Sequence, residues 1–246
     1  ASGLELERCC RAFRDLDRPA REMLLRVPGA LDATACAALR SLVDEAARGW
    51  ESKVWQPALL RNGTDTVDGL PDWQVNLSRQ RMRDLLGDAT FDVIARQLPA
   101  RFDARSSSTG RDDEEAALVP PPMGASAERL PRLAVYQAFV RRYTATTRPW
   151  FTFHTDSADL TANIALSADA GHAGGALLGL LEGTVQHIER GEGEATVHPS
   201  SLLHGVSRMR GGVRYSLIVF YAEQTAAQRR EQMGAADDED WRPPVW

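Results

Sequence analysis

Lysine is almost missing from this chain. Of its 29 basic residues, 28 are arginine and Lys53 stands alone, which all but removes Schiff-base and lysine-base chemistry. Cysteine is scarce as well. Cys9, Cys10 and Cys36, two of them adjacent, make neither a disulfide framework nor a zinc spacing. They read as free thiols and favour a reducing compartment, cytoplasmic or nuclear. No run approaches the roughly 18 apolar residues of a membrane span. No signal-peptide pattern is present, although the chain begins with Ala1 rather than Met and a targeting segment could precede it. A net charge of −5 leaves no basic footprint for nucleic acid. Neither nucleic acid nor a membrane is expected as a partner, and oligomeric state is left open.

What the chain does have is 246 residues, 43% of them hydrophobic, enough for one main core. Residues 1–27 read as an amphipathic helical extension. Asp32 can cap a helix whose apolar positions Cys36, Leu39, Leu42, Val43 and Ala46 recur at three- and four-residue steps, with Gly49 ending it. Two more short helices are expected, 78–86 stopped by Gly87 and 90–98 stopped by Pro99. The Ser-, Gly-, Pro- and acid-rich stretch from about 103 to 131 reads as a long mobile loop of the kind that covers binding sites.

From Leu133 the texture changes to short strands punctuated by Gly and Pro. Expected strands are 133–143, 150–156, 161–167, 175–181, 184–189, 194–198, 202–206 and 213–221. Helices followed by closely spaced strands imply an α+β chain with a sandwich or small barrel at its core. Residues 223–246 form a polar, acidic tail.

All five histidines fall in the strand-rich half. His172 lies in the turn "DAGHAGGA" and reads as a surface residue. His187, between apolar positions, reads as half-buried. His198, before Pro199 at a strand end, is undecided by sequence. His154 and Asp156 stand two apart in "FHTD", and on a strand both would point the same way. With His204 they supply two imidazoles and one carboxylate, the facial set that holds Fe(II) and leaves the opposite positions open. His-x-Asp by itself is a short pattern that chance produces in many chains.

Arg214 adds the more discriminating signal. In "RYSLIVFY" residues 214, 216, 218 and 220 share one strand face. An inward arginine on an apolar strand is costly unless an anion meets it, and Ser216 on the same face offers a hydroxyl to that anion. A charged fork plus a hydroxyl near an iron site suits a dicarboxylate cosubstrate. The alternative, an arginine on the solvent face of an edge strand, stays open at this point.

Taken in order, "FHTD", "GHAGGALL" and "GEATVHPSSLLHGVSRMRGGVRYSLIVFY" resemble the Fe(II)- and 2-oxoglutarate-dependent dioxygenases of the prolyl-4-hydroxylase-like branch, over roughly residues 28–222. The resemblance implies a double-stranded β-helix, or jelly roll, with supporting N-terminal helices. It implies Fe(II) on His154, Asp156 and His204, and 2-oxoglutarate held by Arg214 and Ser216. Val206 would wall that cosubstrate, while Tyr143 and Asn163 would contact it. The implied reaction uses O2, decarboxylates 2-oxoglutarate to succinate and hydroxylates a C–H bond, with ascorbate as an accessory reductant.

Two departures bear on the substrate. Ala165, in "IALS", stands where such enzymes often carry a tyrosine, and "TATTRPW" replaces a Gly-Pro-Gly turn before the metal motif. Prolyl specificity therefore does not follow, and the substrate is either a residue in a protein or peptide or a free small molecule. A catalytically silent jelly-roll binding module is the rival of another class. Asp156 argues against a halogenase, which vacates that ligand position. "RYSLIV" lacks the second arginine of a nucleic-acid demethylase.

Overall fold

Two antiparallel sheets carry the molecule, and their facing sides differ from their outer sides because the strands alternate polar and apolar residues. The computed structural model describes residues 19–51, 65, 67–69, 71–107 and 133–223. In chain order the elements are α1 (Ala20–Met23), β1 (Leu25–Val27), α2 (Ala33–Glu51), β2 (Gln74–Asn76), α3 (Arg79–Asp92), a π-helical turn (Val93–Gln97) and α4 (Leu98–Ser107). They continue with β3 (Leu133–Thr144), β4 (Phe151–His154), β5 (Leu160–Ala165), β6 (Leu177–Leu181), β7 (Thr184–Ile188), β8 (Ala195–Pro199), β9 (His204–Val206) and β10 (Val213–Glu223). The larger sheet runs β1-β8-β5-β10-β3-β2 and the smaller β4-β9-β6-β7. Chain crossing back and forth between two such sheets is the jelly-roll arrangement expected from the strand spacing.

Residues directly opposite in an antiparallel pair share a face, so the ladder register of the large sheet sorts its side chains. Leu217, Val219 and Tyr221 of β10 lie opposite Ile164, Ala162 and Leu160 of β5. These fall on the outer face and join the main core with Cys36, Leu39 and Val43 of α2, Met82 and Phe91 of α3, and Ile94. The Tyr221 hydroxyl donates to the Ile94 carbonyl at 2.8 Å, fixing the helical layer to the central strand. The alternate residues Arg214, Ser216 and Ile218 lie opposite Tyr143, Arg141 and Phe139 of β3. Asn163 and Thr161 of β5 lie opposite Thr196 and His198 of β8. This second face is polar and looks toward the small sheet.

Each of the eight expected strands forms, with no end shifted by more than two residues. Asp32 caps α2 as expected, its Oδ1 accepting from the Ala35 amide at 2.7 Å. Gly49 does not end that helix, which continues to Glu51, since glycine is tolerated in a helix interior at about 1 kcal/mol.

Ser78 starts α3 by accepting from the Arg81 amide at 3.1 Å, and Gly87 leaves the helical path at φ 76. The helix nonetheless resumes to Asp92. Pro99 does not stop a helix: it is the second residue of α4, directly after the π-helical turn, and Leu98 before it keeps a helical conformation. Residues 103–107, expected as loop, belong to that helix, and the rest of the 103–131 stretch lies outside the described residues.

Leu25–Val27, expected in the helical extension, instead pairs with β8 at the sheet edge. Residues 1–18 and the tail from 224 lie outside the described residues. Among the described residues no helix is long and apolar enough to cross a membrane.

Candidate metal centre and anion pocket

His154 ends β4 and His204 begins β9, and the two are register partners in the small sheet. Asp156 lies two residues beyond His154, past the end of β4, where its amide donates to the Ser200 carbonyl at 2.9 Å. The ligand atoms of His154, Asp156 and His204 all lie within 4.8 Å of one another, the one such group of three among the described residues. His154 Nε2 stands 3.4 Å from Asp156 Oδ1 and His204 Nε2 stands 3.7 Å from Asp156 Oδ2. An anchored turn, rather than strand alternation, brings the carboxylate alongside the imidazoles.

Both rings are turned the same way. His154 Nδ1 lies 2.8 Å from the Thr152 carbonyl and His204 Nδ1 lies 3.0 Å from the Leu202 carbonyl. A carbonyl only accepts, so Nδ1 carries the proton and Nε2 keeps its lone pair for a metal. Burial drives the pKa of His204 down from 6.5 to about 3, which keeps the ring neutral as a ligand must be. The Thr161 hydroxyl donates to Asp156 Oδ2 at 2.6 Å. Phe151 meets His154 edge-on, ring centroids 4.4 Å apart, and is itself flanked by the guanidinia of Arg141 and Arg148.

On the polar face of the large sheet lies a buried cation with no hydrogen-bonded carboxylate among the described residues. Arg214 is 1% exposed, and among the described residues none of its three guanidinium nitrogens has a hydrogen-bond partner. The neighbouring Ser216, fully buried, also leaves its hydroxyl unpartnered. Other buried arginines nearby are matched: Arg141 donates to Asp65 at 2.7 Å and Arg148 to Asp68 at 3.0 Å. An isolated buried charge costs several kcal/mol, on the order of 3–5, unless an anion answers it. The guanidinium of Arg214 stacks 4.7 Å over the Tyr143 ring, and Tyr143 packs with Val206, Phe151 and Met209. The double-glycine turn runs beside this pocket. Gly175 has φ +70, and a side chain there would collide with Met209 and press on Arg214.

The structure thus brings together His154, Asp156 and His204, and separately Arg214, Ser216, Tyr143 and Val206. Asn163 faces the same interior, but its amide oxygen accepts from Arg190 at 2.8 Å. His172 and His187 lie near Asp169. The His172 side chain is buried rather than at the surface, since the 3-10 turn Asp169–Gly171 folds it under Gly212.

Three residues escape a sequence reading. Thr161 has no pattern to mark it. Arg190, in "HIERGEGE", has the look of a solvated charge run. His198 is buried, with its ring 4.8 Å from that of His204 and its Nε2 unpartnered. Its alternation with Thr196 on β8 is the only available hint.

No protein-family model and no curated protein sequence matches this chain. Solved structures do match its fold. AviO1 from Streptomyces viridochromogenes Tue57 aligns with a TM-score of 0.53 at 17% identity, over 88% of this chain and 96% of that one. A truncated viral collagen prolyl hydroxylase from Paramecium Bursaria Chlorella virus-1 aligns at 0.50 and 11% identity, over 82% and 90%. The non-heme alpha-ketoglutarate-dependent epimerase SnoN from nogalamycin biosynthesis aligns at 0.50 and 14% identity, over 96% and 94%. The chain has the double-stranded β-helix fold that these proteins share.

Proposed function

We propose that this protein is a non-haem Fe(II) oxygenase that couples the oxidative decarboxylation of 2-oxoglutarate to hydroxylation of a substrate C–H bond. The observation that carries the reading is the buried, unanswered pair of Arg214 and Ser216 in the same interior as the His154–Asp156–His204 group. A metal site of two imidazoles and one carboxylate leaves coordination positions free. A fixed guanidinium with a hydroxyl beside it suits the far carboxylate of a dicarboxylic acid whose other end reaches that metal. Neither feature alone points to this cosubstrate; their combination does. The fold shared with an alpha-ketoglutarate-dependent epimerase and a prolyl hydroxylase supports the same reading.

The residues divide the work. His154, Asp156 and His204 would hold iron, and the Nδ1 protons given to the Thr152 and Leu202 carbonyls keep both rings in the ligating tautomer. Thr161 orients the carboxylate. Arg214 and Ser216 would bind the distal carboxylate, with Tyr143 and Val206 walling the chain between its ends. Iron, when bound with 2-oxoglutarate and O2, supplies the oxidising power for C–H cleavage; the protein supplies position and a dry cavity.

A residue in a protein or peptide is the first substrate reading, after the prolyl-hydroxylase-like sequence resemblance. The second, a free small molecule, rests on the departures of this sequence from the prolyl hydroxylases, Ala165 in place of a tyrosine and "TATTRPW" in place of a Gly-Pro-Gly turn. The test is succinate release from 2-oxoglutarate by iron-loaded protein, followed across peptide and metabolite pools by products heavier by one oxygen atom. Absence of both iron-dependent 2-oxoglutarate binding and substrate-stimulated succinate would overturn the oxygenase reading in favour of a silent binding module.

A further inference from the structure

Arg190, just past the end of β7, is a second arginine buried in this interior, with a side chain 1% exposed. Its Nη1 donates to Asn163 Oδ1 at 2.8 Å, and its Nη2 lies 3.6 Å from Asp169 Oδ1. Its own amide also donates to Asp169 Oδ2 at 3.1 Å. Its Nε has no partner. Asn163 stands on the inward face of β5 in register with Ile218, the inward neighbour of Ser216 on β10. Burial and then the positive charge of Arg214 pull the pKa of Arg190 down to about 9. Asp169 favours the charged form of both. Between them Arg190 and Arg214 have four guanidinium nitrogens without an acceptor among the described residues.

We propose that Arg190 is a second arm of the anion pocket, a specificity-determining residue that with Arg214 selects a 2-oxo acid bearing a distal carboxylate. The inference rests on the 2-oxoglutarate reading. Asn163 and Asp169 hold the Arg190 side chain rigid, so no ordering cost falls on the ligand. The like charge of Arg214 makes the empty pocket unfavourable, and an arriving carboxylate relieves that repulsion. Binding energy is thus drawn from both cations, and a monocarboxylic 2-oxo acid of the same chain length gains none of it.

The experiment measures calorimetric binding of 2-oxoglutarate and of 2-oxopentanoate to Mn(II)-loaded protein without oxygen, for the parent, Arg190→Gln and Arg190→Lys. Arg190→Gln should weaken 2-oxoglutarate about ten- to a hundredfold, the loss expected for one charge-assisted hydrogen bond. Affinity for 2-oxopentanoate and Mn(II) should stay unchanged. Arg190→Lys should recover part of the lost affinity, because the charge remains while the fork is gone.

If both 2-oxo acids weaken together and Asn163→Ala reproduces the loss, Arg190 is only a brace and the inference is wrong. Unchanged 2-oxoglutarate affinity in Arg190→Gln also overturns it and leaves the cosubstrate reading intact. A parent protein that fails to prefer 2-oxoglutarate over 2-oxopentanoate sinks the cosubstrate reading itself. Should Arg190→Gln fail to fold, Arg190→Lys decides alone: a partial loss of selectivity supports the inference, and parental selectivity refutes it.

Discussion

The Thr161 hydroxyl donates a hydrogen bond to Asp156 Oδ2 across 2.6 Å, while its oxygen lies 3.0 Å from the Ser200 hydroxyl. Asp156 is held at a second point through its amide on the Ser200 carbonyl. The carboxylate orientation therefore depends on β5 and on the turn after β8, two segments about 40 residues apart in sequence. Replacing Thr161 by valine keeps the shape and removes the donor. Loss of such a supporting hydrogen bond typically costs about 10–100-fold in metal affinity. Competition titration of Thr161→Val against a metal chelator should show a decrease of that size, with the melting temperature close to the parent's.

Direct removal of a ligand should do more. Asp156→Ala and His204→Ala each leave two donors for the metal, and tight Fe(II) binding should disappear while the fold persists. Metal content after desalting, read beside circular dichroism, checks this. A variant that keeps stoichiometric iron at parental affinity would show that the three residues are not the ligands.

Arg214 separates cosubstrate binding from metal binding. Arg214→Ala should weaken 2-oxoglutarate by about 2–5 kcal/mol, roughly thirty- to several-thousand-fold, the penalty when a buried charge pair loses one member. Iron content should be unaffected. Arg214→Lys should recover only part, since a point charge does not reproduce the bidentate fork. Pyruvate, which lacks the distal carboxylate and would yield acetate, should support little turnover in the parent. Arg214→Ala binding 2-oxoglutarate as well as the parent would remove the main support for this cosubstrate.

Asp72, among the charges around Arg141, gives the fold a pH signature. Burial lifts its pKa from 3.8 to about 6; Arg141 pulls the other way, and Asp65 adds to the rise. A carboxyl whose folded pKa exceeds its unfolded value binds protons more tightly when folded, so its contribution to stability falls as pH rises between those values. Asp72→Asn should therefore melt higher than the parent at about pH 8 and no higher at about pH 4. Thermal unfolding across that range measures the difference, and a gap that widens toward acid would have the wrong sign.

Much of this arrangement is legible along the chain because its periodicity is local. Strand alternation in "RYSLIVFY" places Arg214 and Ser216 on one face, and the outer face it leaves, Leu217, Val219 and Tyr221, is the one that packs on the helices. The eight strands from Leu133 onward follow from short apolar runs between turn residues. Pro99 and Gly49 mislead because each residue is compatible with a helix at one position and hostile at another, and packing chooses the position. β1 escapes notice because three residues at a sheet edge carry no period of their own.

The sequence by itself determined which side chains could do chemistry here: two histidines and an aspartate with metal-ligand spacing, one inward arginine with a serine beside it, and an alternating pattern able to fold into two facing sheets. Only the tertiary structure decided that Arg214 has no hydrogen-bonded carboxylate among the described residues whereas Arg141 and Arg148 have theirs in Asp65 and Asp68. It also decided that Arg190 turns inward, and that Thr161 and Ser200 aim the carboxylate of Asp156. The reason is physical: alternation sets the direction of a side chain from its own strand. Whether a buried charge is answered depends on residues brought in from other strands and loops.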